Sequence, residues 1–208
     1  MNKKVIGISI DDEFTSFDMI GGDLLTLGMV EVYEDLTLGR EFYGEFKPRA
    51  AKYFSEKAEE VHGISYFKAM TFQDAEKTCM DLMQWLSPLM DQFPLVTLFW
   101  GSWNFDLKWI DITMERCGFK SSFLKAFTQT KDSHINVLKL AKQKLKHMPL
   151  PKRGTEQDKK KGQYSLANVA RFYDMPVNHH NSLWDAKACA EIYCRIMKGE
   201  NVWTGELF

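Results

Sequence analysis

The first 47 residues constrain the fold most. Three strand-like runs, "KVIGISID", "DLLTLGMVEVY" (Asp23–Tyr33) and "GREFYGEFK" (Gly39–Lys47), succeed one another across the links "MIGGD" and "EDLTLG". Links this short and turn-rich join antiparallel neighbours, because a parallel crossover needs a dozen residues or more. Two helical stretches follow. "PRAAKYFSEKAEEVHGIS" stops at His62-Gly63, with the glycine as a left-handed cap, and "TFQDAEKTCMDLMQWLSPLMDQF" begins on Thr71 as N-cap. "PLVTLFWG" (Pro94–Gly101) is then continuously apolar, the mark of a strand buried on both faces.

"NFDLKWIDITMERCG" returns to helical spacing, and "SSFLKAFTQTKDS" has room for a last short strand. "HINVLKLAKQKLKH" reads as a basic amphipathic helix, and "SLANVARFY" and "NSLWDAKACAEIYCRIMKG" as the final two helices. Three antiparallel strands followed by helix–strand–helix predict an α/β domain: a mixed central β-sheet, antiparallel strands first and parallel strands after, flanked by helices. No repeat or linker divides the chain, so residues 1–208 are expected to form a single domain. Its candidate for disorder is the polar, basic loop around 148–163, "MPLPKRGTEQDKKKGQ".

A hydrophobic content of 45% suffices for a packed core. No apolar run approaches the ~18 residues of a membrane span. The start, "MNKKVIGISIDD", reaches acids too soon for a signal peptide. A cytoplasmic protein without a membrane partner is the expectation. The cysteines (Cys79, Cys117, Cys189, Cys194) form no CxxC pair and read as reduced thiols. The net charge of −1 hides a polarity: Lys139 to Lys161 holds nine Lys/Arg against two acids, a surplus of +7 that leaves −8 elsewhere. Alone, such a run is a solvated lysine-rich face; beside an acidic metal site it suits a phosphate-binding surface.

The acids carry the chemistry. The first strand ends in Asp11, Asp12 and Glu13. Alternation sends Asp11 and Glu13 to one face and Asp12 to the other, so Asp12 reads as a polar strand-end residue. Asp106 follows the apolar strand within the first turn of the next helix, beyond the strand end where open α/β sheets bind ligands. In "HHNSLWDAKA", Asn181 or Ser182 is the N-cap, which leaves His180 on the loop and Asp185 in the first turn. Taken singly, each of these is an ordinary polar residue at an element terminus. Gathered, four carboxylates would repel one another and hold their protons unless a divalent cation intervened. Oxygen ligands favour Mg²⁺ or Mn²⁺, and two ions stabilise both the attacking and leaving oxygens of a phosphodiester displacement. A nearby histidine can take the proton of the attacking water.

The order Asp-x-Glu, Phe-Asp, His-x₄-Asp resembles the DEDDh branch of the 3′–5′ exonuclease superfamily, which includes proofreading exonuclease subunits and oligoribonuclease. The resemblance runs from Ile6 to Ile196 and takes in "EVHGIS" and "YSLANVARFYDMPV". It implies a ribonuclease H-like fold, two Mg²⁺ or Mn²⁺ ions, and release of 5′-mononucleotides from the 3′ end of single-stranded DNA or RNA. Asp11, Glu13, Asp106 and Asp185 match the metal-site acids and His180 the general base; His179 lacks the spacing to Asp185. Phe14 and Thr15 fall where the family contacts the terminal nucleotide, and Trp103 and His62 are further candidates for substrate binding. Trp184 reads as packing. Phe14-Thr15-Ser16 replaces the frequent Thr-Thr-Gly, Trp100-Gly101-Ser102 stands where relatives carry His-Asn, and Asn136 replaces a frequent Asp as a structural change. The competing reading is an inactive exonuclease-fold module that binds nucleic acid or a protein partner.

Overall fold

The computed structural model describes residues 3–92, 95–101, 103–119, 133–148, 150, 162–176, 178 and 180–200, with the side chains of residues 103 and 104 outside that description. Strands β1 (Val5–Phe14), β2 (Leu24–Tyr33) and β3 (Leu38–Glu45) form the antiparallel meander. Strands β4 (Val96–Phe99) and β5 (His134–Asn136) add in parallel, giving the order β3-β2-β1-β4-β5. The mixed α/β sheet is thus the one the link lengths predict.

The helices, in chain order, are α1 (Glu56–His62), α2 (Tyr66–Ala69), α3 (Ala75–Leu86), α4 (Trp103–Arg116), α5 (Val137–Lys144), α6 (Leu166–Phe172) and α7 (Ser182–Met197). They cover both faces of the sheet. Ile8 and Ile10 of β1 point into one apolar layer with Leu82 and Leu86 of α3 and Leu107, Trp109 and Ile110 of α4. Val30 and Val32 of β2 point into a second layer with Val137 and Ala141 of α5 and Ala186, Cys189 and Ile192 of α7. The two faces of one sheet therefore serve two cores, as period-two alternation along its strands allows. Among the described residues, no helix is long and apolar enough to cross a membrane.

Three local readings change. The stretch from Pro48 to Ser65 is not one helix: a 3₁₀ turn (Ala51–Tyr53) precedes α1, which starts after Ser55 and ends on Gly63 at φ 69°. Asp74, not Thr71, is the N-cap of α3; the Thr71 hydroxyl instead donates to the Lys68 carbonyl. "HIN" is strand β5 rather than the start of a helix. There Asn136 accepts from the Lys139 N–H as N-cap of α5 and donates its amide to the Gly101 carbonyl, a pair of roles an ionised Asp could not fill. Residues 149 and 151–161 of the expected loop around 148–163, most of "SSFLKAFTQTKDS" and His179 lie outside the described residues.

Candidate active site

Everything converges at the C-terminal end of β1. On the α7 side, Asp11 pairs in register with Gly28 of β2, and Glu13 with Thr26. Those two β2 residues form the seat of α7. The Ser182 hydroxyl donates to the Thr26 hydroxyl at 3.0 Å. A Cβ on Gly28 would lie 2.3 Å from the Ser182 carbonyl, so only glycine lets the helix come this close. Asn181 caps α7 through the Trp184 N–H at 3.0 Å. The cap leaves His180 just before the helix, at a φ of 60°, and Asp185 in the first turn.

This seating brings His180 Nδ1 to 3.8 Å from Glu13 Oε1. Glu13, His180 and Asp185 each offer a ligand atom within 4.8 Å of the others. Asp11 has Asp185, Glu13, Asp106 and Asp12 all as charged neighbours. Burial first, and those acids second, hold its carboxyl well above the usual carboxylate range.

Asp106 reaches the cluster from the other layer. It sits in the first turn of α4, where burial pushes its carboxyl up to about 7 and Glu13 adds to the shift. Asp12 is its partner, which corrects the reading of Asp12 as a polar strand-end residue. Alternation does send Asp12 away from Asp11, but into the layer below α4, where it is only 6% exposed. Burial and the neighbouring Asp106 raise its carboxyl well above the ordinary value. Strand periodicity gives the face a residue is on; it does not give what covers that face.

The cleft above these acids has a volume of about 400 Å³ and is lined by Asp11, Asp12, Glu13, Asp185 and His180, with Phe14, Trp100 and Tyr164 among its other walls. No Lys or Arg among the described residues lines it. A buried, crowded acid set without a positive side chain is the donor chemistry a hard divalent cation requires. The residues present fit such an ion. The crowding also fixes a pH dependence. An acid whose folded pKa is raised keeps its proton where the unfolded chain has lost it, so above about pH 4 these groups destabilise the folded state increasingly as pH rises, Asp106 up to its pKa of about 7. His62 and His134, held below their ordinary values by burial, act in the opposite sense near pH 6. A comparison with and without cation isolates the acids: the melting-temperature gain on adding millimolar Mg²⁺ to EDTA-treated protein should be larger at pH 7.5 than at pH 5. Scanning calorimetry reads the difference, and an equal gain at both pH values would contradict it.

The remaining candidates separate. Phe14 both lines the cleft and stacks on Trp109 of α4, with ring centroids 5.3 Å apart. Thr15 does not line it: its side chain is buried and its hydroxyl accepts from the Asp23 N–H at 2.9 Å. His62 ends α1 beside Glu13 and His180. Its Nδ1 accepts the Ile64 N–H at 3.0 Å, which commits that lone pair and keeps the ring neutral, in line with the lowering of its pKa by burial. The Trp103 side chain lies outside the described residues. Trp184 packs against the α7 layer. Gly28, Tyr164 and the exposed Phe17 went unread in the sequence, where each is one ordinary residue of its element.

The family model described as "Exonuclease" matches residues 8–193. No curated protein matches the chain. Solved structures do. The nuclease domain of 3′hExo, a DEDDh family member bound to rAMP, is 16% identical with a TM-score of 0.60, over 97% of this chain and 96% of that one. E. coli exonuclease I in complex with a dT13 oligonucleotide is 13% identical with a TM-score of 0.69; the match takes in 91% of this chain but 40% of that one. A 3′-exonuclease structure on recognition of a histone mRNA stem-loop is 14% identical with a TM-score of 0.61, over 100% of this chain and 91% of that one.

Proposed function

The chain belongs to this exonuclease family, and with it to the DEDDh superfamily, and we propose that it is a metal-dependent 3′–5′ exonuclease acting on single-stranded DNA or RNA. The observation that carries the reading is the gathering of Asp11, Glu13 and Asp185 about a cleft that His180 borders, with Asp106 of a third element as a charged neighbour of Asp11. Similarity to structures that hold rAMP and an oligonucleotide supports nucleic acid as the substrate.

Asp11, Glu13, Asp106 and Asp185 would hold two Mg²⁺ or Mn²⁺ ions. Such ions, when bound, neutralise the charge that builds on the attacking and leaving oxygens of a phosphodiester. The chain's own residues do the rest. His180 accepts the proton of the attacking water at a ring nitrogen, close enough to Glu13 for the imidazolium to be stabilised as it forms. Phe14, braced by Trp109, offers the terminal base an apolar wall that does not depend on sequence. Release of 5′-mononucleotides follows from attack at the last phosphodiester.

The test incubates 5′-labelled DNA and RNA oligonucleotides with Mg²⁺, with EDTA, and with the Asp11→Ala protein. The expected result is a 3′-shortening ladder with Mg²⁺ alone. A ladder that persists in EDTA sinks the metal-dependent reading, and cutting of a circular single strand would replace an exonuclease with an internal nuclease. Wild-type protein that binds the oligonucleotides without shortening them is the outcome expected of an inactive binding module.

A further inference from the structure

The loop between β1 and β2 combines two features that rarely meet. Its tip is apolar and open to solvent, with Phe17 66% exposed and Ile20 88% exposed. Its backbone, in contrast, is held almost everywhere. Arg116, at the end of α4, donates to the carbonyls of Met19 at 2.9 Å, Ile20 at 2.7 Å and Gly22 at 2.5 Å. Arg49 donates to Gly21 at 2.9 Å and more weakly to Gly22 at 3.3 Å. Both guanidinium groups converge on Asp23, Arg49 at 2.6 Å and Arg116 at 3.3 Å. Inside the loop, the Gly22 N–H donates to Asp18 and the Ile20 N–H to the Asp18 carboxylate.

Four consecutive carbonyls, from Met19 to Gly22, are thus fixed by two side chains, while Phe17 and Ile20 stand exposed to solvent. An unrestrained loop would fold apolar tips back onto the protein to remove them from water. The arginine clamp opposes that collapse. The exposed tip is also continuous with the cleft: Phe17 meets Phe14 edge-on, with centroids 5.2 Å apart, and Phe14 lines the cleft itself. Phe105, next to Asp106, touches both rings.

We propose that Arg116, with Arg49 and Asp23, is a positioning residue that holds the Phe17–Ile20 tip as a preformed ledge for the bases of the strand entering the cleft. The inference rests on the exonuclease reading above and adds to it where the upstream bases lie and what fixes that surface. Bases of any sequence stack on apolar side chains, so the ledge favours single strands without choosing among them. A surface fixed beforehand loses little freedom on binding, and its effect falls on substrate affinity rather than on the chemical step. Lysine cannot stand in for Arg116, because one ammonium does not span three carbonyls as the planar fork does.

The experiment measures steady-state kinetics on a 5′-labelled single-stranded oligonucleotide for wild type, Ile20→Ser, Arg116→Lys and the double variant. Each single change should raise KM about fivefold to tenfold, with kcat within about twofold. Because Arg116 acts through the tip, the double variant should be no worse than the poorer single one. A KM within twofold of wild type for Ile20→Ser overturns the proposal, and so does a double-variant KM equal to the product of the two single effects. Ile20 touches solvent, so its replacement reads the ledge even if Arg116→Lys melts early. A wild-type protein without activity fails the exonuclease reading instead; direct binding of a fluorescent oligonucleotide, weaker for Ile20→Ser or not, then decides the ledge separately.

Discussion

An Asp11→Asn protein should turn over oligonucleotides at least about a thousandfold more slowly than wild type, and in the absence of metal it should melt no lower. The two halves have one cause. Asp11 is the carboxylate most surrounded by others, with Asp185, Glu13, Asp106 and Asp12 as neighbours. Its charge opposes folding when no cation is present and is needed when one is. The amide keeps the shape and removes the charge. Loss of a carboxylate that would help to hold the ions should cost about 4 kcal/mol of barrier, which is the thousandfold. Removal of one of several like charges from a buried cluster should raise metal-free stability. Asp12→Asn makes the contrast. Asp12 lies across the strand against Asp106, and an amide there can donate to the Asp106 carboxyl instead of repelling it. Activity should stay within about tenfold of wild type, with metal-free stability raised. The ladder assay and calorimetry on both proteins check this. A dead Asp12→Asn protein that melts like wild type would move Asp12 into the metal-holding set.

The second large effect is at a residue with no side chain. In Gly28→Ala the new Cβ would lie 2.3 Å from the Ser182 carbonyl carbon and oxygen and 2.4 Å from Leu183 Cα. These are backbone atoms at the start of a sixteen-residue helix, and no rotamer change can clear them. Either α7 lifts or β2 bows, at a cost of about 1–3 kcal/mol. For a chain of this size that corresponds to a fall of about 2–12 °C in melting temperature. The catalytic loss should be larger than the stability loss suggests. Asp185 and His180 travel with the start of α7, and a misplacement of about 1 Å costs on the order of a hundredfold in turnover. Ser182→Ala is the control. It removes only the hydrogen bond to Thr26, so it should cost about 1 kcal/mol and little activity. If Gly28→Ala matches the control in kcat, the close seating of α7 is not what aligns the site.

These two residues mark where the sequence could and could not be read. The facing of Asp11 and Glu13 follows from period-two alternation, and the place of His180 and Asp185 follows from an N-cap; both are local rules acting on neighbouring residues. The meander and the parallel strand follow from link lengths. Gly28 and Ser182 were illegible because the contact that makes them matter joins residues more than 150 positions apart. Arg116 is the basic end of a helix, and nothing local points from it to three carbonyls almost a hundred residues earlier. Strand β5 was missed because three residues are too short to show a period. Asp12 was assigned to the correct face and the wrong environment, since the helix that covers it is set by the fold.

The pairing of β1 with β2 has a consequence for how the chain reaches its native state. Asp11 lies opposite Gly28 and Glu13 opposite Thr26. If β1 slipped by a single residue, every side chain would change face. Ile8 and Ile10 would leave their apolar layer, and Asp11 and Glu13 would enter it, far from α7 and from any cation. Two stranded carboxylates make that misalignment much costlier than a slip in an ordinary apolar strand. The acids proposed to cut nucleic acid therefore also proofread the sheet: they exclude its nearest misfolded alternative before any substrate arrives.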